Sequence, residues 1–254
     1  MSMDQSRVKG RIPELDFLRG LALILMMFHH TIADLYDIYS RQFVAFQHSF
    51  WFYELGRPIV LTVFLTVSGT SSRFSRNSMK RGIRMVLFSI AATALTIFVD
   101  GFAKTGIIYF NVIHVVALST VLYALFEKLA IKKQWIPDRR SEDENRDYKP
   151  HLFAGFLIVT GVFLVFLSSL IAPLIPDYSN NPLLIVLGSV PRGVYILDHM
   201  PLLPWLGFFI VGAALGYTLY LPGQALTKSE GPFFRMTRPV RFLGRHSLWV
   251  YFLH

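Results

Sequence analysis

Long apolar stretches recur along the chain, and they limit its fold more than any other feature. The predicted helices cover residues 17–36, 52–72, 82–99, 106–129, 152–175 and 205–221. Each is close to the roughly 20 residues that cross a bilayer, and 53% of all residues are hydrophobic. The pattern predicts an all-α polytopic membrane protein of one domain, residues 1–254, with six complete transmembrane helices.

Two further apolar segments do not fit a straight crossing. Residues 182–204 are interrupted by Gly188, Pro191, Gly193 and Pro201, and proline and glycine break a helix at membrane depth where the backbone lines a cavity. We expect a broken, re-entrant or interfacial segment there. The last stretch begins at Leu243 and reaches His254 after twelve residues, so we interpret it as the start of a truncated seventh helix.

Basic residues are concentrated in alternate connections between the apolar stretches. The net charge is +9, and Lys and Arg cluster in residues 7–11, 73–84, 128–149 and 228–241. Cytoplasmic loops carry such an excess, which predicts a cytoplasmic N-terminus. Because the charges lie beside lipid-spanning segments, they indicate contact with anionic lipid and no nucleic-acid partner. Residues 138–149 mix both signs and lack apolar side chains, which predicts a mobile cytoplasmic loop.

Ionisable side chains lie inside two predicted helices and just before the sixth. Those inside helices are His29, His30, Asp34 and His114, and those before the sixth are Asp198 and His199. His30 is eleven residues beyond Arg19, about 16 Å along the helix, and His114 lies about 12 Å below the outer surface. Such groups are costly in a membrane and usually face a wet cavity. We expect a shared cavity in the outer half of the bilayer, or alternatively a hydrogen-bonded clasp of His30 with Asp34.

A run of small residues, 68–72, ends the second predicted helix. Ser68 and Gly69 belong to this run, which permits close helix packing or a narrow passage for an extended ligand. Arg73, Arg76, Arg81 and Arg84 follow it. Guanidinium groups bind phosphate well, although the same arginines also fit a purely topological, lipid-facing role.

Five segments resemble the bacterial branch of the heparan-alpha-glucosaminide N-acetyltransferase family, within the transmembrane acyltransferase superfamily. They are ELDFLRGLALILMMFHH at 14–30, FLTVSGTSS at 64–72, YFNVIHVVA at 109–117, DHMPLLPWLG at 198–207 and LGRHSLWVYFLH at 243–254. The resemblance implies a bacterial or archaeal plasma-membrane enzyme. It implies transfer of an acetyl group from cytoplasmic acetyl-CoA to a sugar or other small acceptor, at a hydroxyl or amine on the outer side.

The resemblance also implies roles for individual residues. His48, followed by Trp51 and later by Gly69, matches the pattern around the active histidine of the eukaryotic enzymes. Histidine can deprotonate an acceptor or carry the acyl group. With the polar residues of the expected cavity added to His48, the candidate catalytic residues are His48, His30, His114, Asp34 and Asp198, with the aspartates orienting an imidazole. The candidate donor-binding residues are Arg19, Arg76, Arg84, Arg245, Ser68 and Gly69.

Other interpretations stay open at this stage. His48 lies among aromatic residues and also fits an interfacial aromatic belt. A proton-coupled transporter would use embedded His and Asp as well, but the two halves of the chain show no internal repeat. The absence of cysteine excludes thiolate chemistry, no metal is expected, and a homo-oligomer is compatible with the sequence.

Overall fold

The computed structural model describes residues 12–37, 42–138, 147–220, 225–226 and 232–253. Most of the predicted mobile loop, 139–146, and the final residue of the predicted seventh helix lie outside these ranges. Within these ranges the regular elements are helices, and β-structure is limited to isolated bridges between single residues. The prediction of an all-α membrane protein is confirmed.

The long helices come first in the chain, and shorter ones follow. The elements are α1 (Pro13–Asp37), a 3-10 helix (Gln42–His48), a π-helix (Phe50–Gly56), α2 (Arg57–Ser72), α3 (Ser78–Ala103), α4 (Val112–Lys132), α5 (Pro150–Ile171), a 3-10 turn (Ala172–Leu174), α6 (Pro182–Leu187), α7 (Trp205–Thr218), α8 (Pro232–Met236), α9 (Arg238–Arg245) and α10 (Ser247–Leu253).

Within the described residues, five segments are long and apolar enough to cross a membrane. They are Pro13–Tyr36, Phe50–Ser72, Ser78–Ala103, Val112–Lys132 and Pro150–Leu174. The protein is therefore an integral membrane protein. Helix α7 has 14 residues, about 21 Å against a hydrocarbon core of roughly 30 Å, so a sixth complete crossing stays a prediction. The stretch from Leu243 is divided between α9 and α10, because the first of these ends at Arg245.

Side-chain caps set several helix ends. Asn77 accepts a hydrogen bond from the backbone N–H of Lys80 at 2.9 Å and caps α3, and Asn111 caps α4 in the same manner. Helix α4 therefore begins at Val112, six residues later than the sequence predicts. Asparagine is a favoured cap because its side-chain oxygen satisfies a free N–H of the first turn.

The chain forms two compact units, and each is described by itself. The first comprises residues 1–67 and 220–254, and the second comprises residues 68–219. The expectation of a single domain stays a prediction.

In the first unit, α1 packs against α9 with backbone contact. A Cβ atom built on Gly20 would lie 1.9 Å from the carbonyl oxygen of Val240, and one on Gly244 would lie 1.8 Å from that of Asp16. Neither position can hold a larger residue without moving a helix. Leu23 of α1 is fully buried.

In the second unit, small residues bring the end of α2 against α7. A Cβ atom on Gly69 would lie 1.9 Å from the carbonyl oxygen of Phe209, and Thr70 donates to the carbonyl of Gly212 at 2.8 Å. Helices α5 and α7 meet in the same manner at Gly161 and Gly207. Small residues are the usual means of close helix packing in membranes, and they serve that purpose here.

The predicted broken segment is confirmed. After α6 the chain turns at Gly188, whose φ is +137°, and returns through backbone hydrogen bonds to two other stretches. Ser179 donates to Val190 at 2.9 Å, and Met200 donates to Phe110 at 3.0 Å. These bonds satisfy part of the non-helical backbone within the protein, as a membrane environment requires.

Replacing Gly69 by Ala tests the packing of α2 on α7. The added methyl would overlap the backbone of Phe209, so we expect the free energy of unfolding to fall by about 1–3 kcal/mol. Gly155→Ala is the matched control, since no atom lies within 4 Å of its built Cβ, and it should be neutral or slightly stabilising. Thermal unfolding in detergent measures both, and equal stability of the two variants would contradict the packing.

Candidate active site

Histidine and aromatic rings contact one another along the later half of α1 in the first unit. The ring of His29 stacks on Phe52, with centroids 5.4 Å apart and planes 7° apart. The ring of His48 meets Tyr36 edge-to-face at 4.7 Å, and His30 lies beside His29 at 5.8 Å. We define the histidine–aromatic cluster as His29, His30, Tyr36, Phe46, His48 and Phe52.

Two short irregular helices bring His48 to this place. In the 3-10 helix Gln42–His48, Val44 and Gln47 are three residues apart and buried, which matches the three-residue repeat of this helix type. His48 itself is exposed. The π-helix Phe50–Gly56 follows and places Phe52 against His29. Single π-helical turns are rare and occur often at functional sites.

The neighbour of His48 defines which of its ring nitrogens can react. The side-chain amide nitrogen of Gln47 lies 3.4 Å from Nε2 of His48. An amide nitrogen can only donate a hydrogen bond, so Nε2 is the acceptor and carries the lone pair. Gln47 is buried, whereas His48 is exposed. Nε2 of His48 is therefore placed to accept a proton or to attack a carbonyl carbon.

Two other predicted catalytic residues, His30 and Asp34, lie on α1. His30 is part of the cluster itself, and Asp34 follows one turn later with an exposed side chain. Residues four apart share a helix face, so a ligand that contacts His30 can also reach Asp34. Their catalytic roles stay predictions.

A charged group lies near the other end of α1. Oδ2 of Asp16 is 3.2 Å from Nε of Arg245, and Oδ1 is 3.7 Å from Arg19. Arg19 also donates to the carbonyl of Gly244 at 3.2 Å. The side chains of Asp16 and Arg19 are 13% and 14% exposed, and that of Arg245 is 38% exposed. Arg19 therefore links α1 to α9, whereas the side chain of Arg245 is only partly covered.

Sequence reasoning did not single out Asp16 or Gln47. Asp16 precedes Arg19 by three residues and therefore shares its helix face, a signal that was present in the sequence. Gln47 gave none, because its contact with His48 depends on an irregular turn that no periodicity predicts.

In the second unit, His114 is held inside a hydrogen-bond network. Its Nδ1 accepts from the backbone N–H of Asn111 at 3.3 Å as half of a capping box and lies 2.9 Å from Oδ1 of the same residue. Its Nε2 lies 3.1 Å from the hydroxyl of Thr93. Thr93 in turn donates to the carbonyl of Ile108 at 2.8 Å. Both ring nitrogens have protein partners and the residue is buried, which favours a structural role.

Asp198 and His199 lie close to the same end of α4. Asp198 has a left-handed backbone, with φ at +47°, and Nε2 of His199 is 3.0 Å from the carbonyl of Ile185. The bond from Met200 to Phe110 joins this stretch to the start of α4. Of the predicted cavity, the structure brings His29 and His30 into ring contact and His48 against Tyr36 of the same helix in one unit, and Asp198 towards the start of α4, where His114 lies, in the other.

The remaining predicted residues have different surroundings. Ser68 is buried, and Gly69 packs against α7, so the helix-packing interpretation accounts for Gly69 while the ligand passage stays a prediction. Arg76 and Arg84 are exposed. Among the residues that the structure describes, no three His, Asp or Glu side chains come together as a metal site would require.

Replacing His114 by Ala tests its structural role. The variant removes the imidazole partner of the Asn111 N–H and of the Thr93 hydroxyl, so we expect a loss of about 1–3 kcal/mol in stability. His151→Ala, at an exposed position of α5, is the control and should change stability by less than about 0.5 kcal/mol. A His114→Ala protein of unchanged stability but without catalytic activity would restore the catalytic assignment.

Comparison with known proteins agrees with the architecture. The family model described as heparan-alpha-glucosaminide N-acetyltransferase, catalytic, matches residues 11–137 and 151–254. Neither curated proteins nor solved structures match the chain. The family match covers the histidine–aromatic cluster, the ion pair of Asp16 with Arg245 and the broken segment. The chain therefore belongs to the heparan-alpha-glucosaminide N-acetyltransferase catalytic family and is a membrane acyltransferase.

Proposed function

We propose that the protein transfers an acetyl group from acetyl-CoA to a hydroxyl or amine of a sugar or another small acceptor, and that His48 activates the acceptor. The observation that carries this proposal is the position of Nε2 of His48, which lies 3.4 Å from the amide nitrogen of Gln47. This imidazole nitrogen lies on an exposed residue at the edge of an aromatic cluster. A small acceptor can reach it.

The proposed reaction needs one general base. The base takes a proton from the acceptor and later gives it to the leaving thiolate. Nε2 of His48 removes the proton from the acceptor O–H or N–H as the acceptor attacks the thioester carbonyl. The tetrahedral intermediate collapses, the carbon–sulfur bond breaks, and the CoA thiolate takes up the proton. The Gln47 contact is long, at 3.4 Å, so an acceptor hydroxyl can replace it. In the alternative route, His48 itself carries the acetyl group between donor and acceptor.

The surroundings of His48 fit a sugar-sized acceptor. Phe43, Phe50 and Trp51 flank it in sequence and are 75%, 61% and 76% exposed. Aromatic faces commonly line small-molecule sites, where a few polar groups determine orientation. His30 and Asp34 are the polar groups nearest along α1, and we assign them to orienting the acceptor.

The length of α1 suits a donor that carries its phosphates far from its thioester. Asp16 and Tyr36 are about 30 Å apart along the helix axis. Tyr36 contacts His48, and Asp16 contacts Arg245, whose guanidinium is partly exposed. Arginine is well suited to phosphate recognition. We assign Arg245 to the donor phosphates and His48 to the thioester end.

The proposed orientation follows from charge. Arg235, Arg238 and Arg245 lie on α8 and α9, and the positive-inside rule places such a segment in the cytoplasm. Acetyl-CoA then approaches from the cytoplasm, and the acceptor meets His48 on the outer side of a bacterial or archaeal plasma membrane. Arg76 and Arg84 remain further candidates for anion binding.

Replacing His48 by Ala should abolish acetyl transfer and leave donor binding intact. A general base contributes about 10²–10⁴-fold, so we expect kcat to fall by at least 100-fold while the Kd for acetyl-CoA changes less than threefold. The measurements are acetyl-CoA hydrolysis or transfer by the purified protein in detergent, and equilibrium binding of acetyl-CoA. His151→Ala is the matched control. Full activity of His48→Ala, or no saturable acetyl-CoA binding by the unaltered protein, would overturn the proposal.

Replacing Arg245 by Gln should weaken donor binding without slowing the chemical step. A lost charge-assisted bond of about 1.4 kcal/mol corresponds to a tenfold change, so we expect KM for acetyl-CoA to rise about tenfold with kcat unchanged. Arg192→Gln removes the same charge from an exposed position and is the control. An unchanged KM in Arg245→Gln would exclude Arg245 from the donor site.

A further inference from the structure

A basic groove lies between α3 and α4 in the second unit, and its lining includes Arg84. It has a volume of about 500 Å³ and is lined by Asn77, Met79, Lys80, Ile83, Arg84 and Lys128. Three of these side chains are cationic, and the lining contains no carboxylate. We call this the α3–α4 groove.

Two helices provide the three cations. Lys80 and Arg84 are four residues apart on α3, so they share one face, and Lys128 comes from the last turns of α4. The two helices are in close contact, since a Cβ atom on Gly82 would lie 2.8 Å from Cγ2 of Val121. The two helices that line the groove therefore pack directly against each other.

The position of the cations on α3 is electrostatically unfavourable without an anion. The positive end of a helix dipole lies at the N-terminus and favours negative charge there. The first turn of α3 contains no acidic residue, and Lys80 and Arg84 both lie within its first two turns. A bound anion would relieve this repulsion and receive hydrogen bonds from both side chains.

The groove continues into an apolar face of α3. Ile83 belongs to the groove, and Leu87, Ile90 and Phe98 extend the same face; they are 49%, 62%, 57% and 66% exposed. Ile83 and Phe98 are about 22 Å apart along the axis, which exceeds the roughly 15 Å depth of one leaflet of the hydrocarbon core. An acyl chain can lie along this face.

We infer that the α3–α4 groove binds the headgroup phosphate of an anionic phospholipid, whose acyl chains lie along Ile83, Leu87, Ile90 and Phe98. Charge complementarity selects an anionic headgroup, because basic pockets between transmembrane helices bind such lipids. The apolar face selects a lipid over a soluble nucleotide. The lining contains no aromatic ring on which an adenine could stack.

The lipid site can be tested on the full chain in a neutral detergent. Mixed micelles containing phosphatidylglycerol should raise the Tm by several degrees, and phosphatidylcholine should not, because ligand binding to the folded state stabilises it. The combined variant Lys80→Gln, Arg84→Gln and Lys128→Gln should need at least tenfold more phosphatidylglycerol for the same shift. These side chains line an open groove, so we expect the variant to fold.

The control removes the same three charges elsewhere. Lys104→Gln, Lys149→Gln and Arg192→Gln affect exposed positions outside the groove and should leave the response to phosphatidylglycerol unchanged. If the combined groove variant does not fold, Lys80→Gln and Lys128→Gln are each measured alone, and each should weaken the response.

Three outcomes would overturn the inference. One is an equal response to the two lipids. Another is an equal loss of response in the groove and control variants. The third is displacement of phosphatidylglycerol by acetyl-CoA in the unaltered protein, with loss of acetyl-CoA binding in the groove variant, which would make the groove a nucleotide site. The inference does not depend on His48. The His48→Ala variant should keep the response to phosphatidylglycerol, and this result would separate the lipid site from the proposed catalysis.

Discussion

Gly20 and Gly244 allow α1 and α9 to approach until each backbone occupies the space of the other's missing side chain. Lipid tails are as apolar as leucine, so helices in a membrane gain little from burying apolar surface and rely on close packing and hydrogen bonds. The contact between these glycines places Arg245 beside Asp16, and α1 then carries His29, His30 and Tyr36 at its other end. The geometry of the first unit depends on this approach.

His114 and His48 were both candidate catalytic residues, but they have different environments. His114 has partners on both ring nitrogens, and its ring completes a helix cap, so it stabilises the turn before α4. His48 is exposed, and a single buried amide holds its Nε2. A nitrogen that must exchange protons with a substrate needs access and a weak, replaceable partner, and among these two residues only His48 has both.

The basic residues likewise have several roles. Arg19 bonds a backbone carbonyl of α9, and Arg73 bonds the carbonyl of Gly216 while its guanidinium lies 4.7 Å from the ring of Tyr217. Both use the charge to satisfy carbonyl oxygens at helix ends. Lys80, Arg84 and Lys128 instead line an open groove. The positive-inside pattern accounts for the location of all these charges along the chain, but it does not distinguish the roles.

The sequence alone determined the helical class, the positions of the long helices to within about six residues at their ends, the broken segment before α7 and the family. These properties follow from local composition, because twenty apolar residues in a bilayer must form a helix. The tertiary structure decided which polar side chains meet. It paired His48 with Tyr36 and Gln47, enclosed His114 and turned Gly69 towards Phe209. Such contacts depend on irregular turns and on helix rotation about the axis, which hydropathy does not encode.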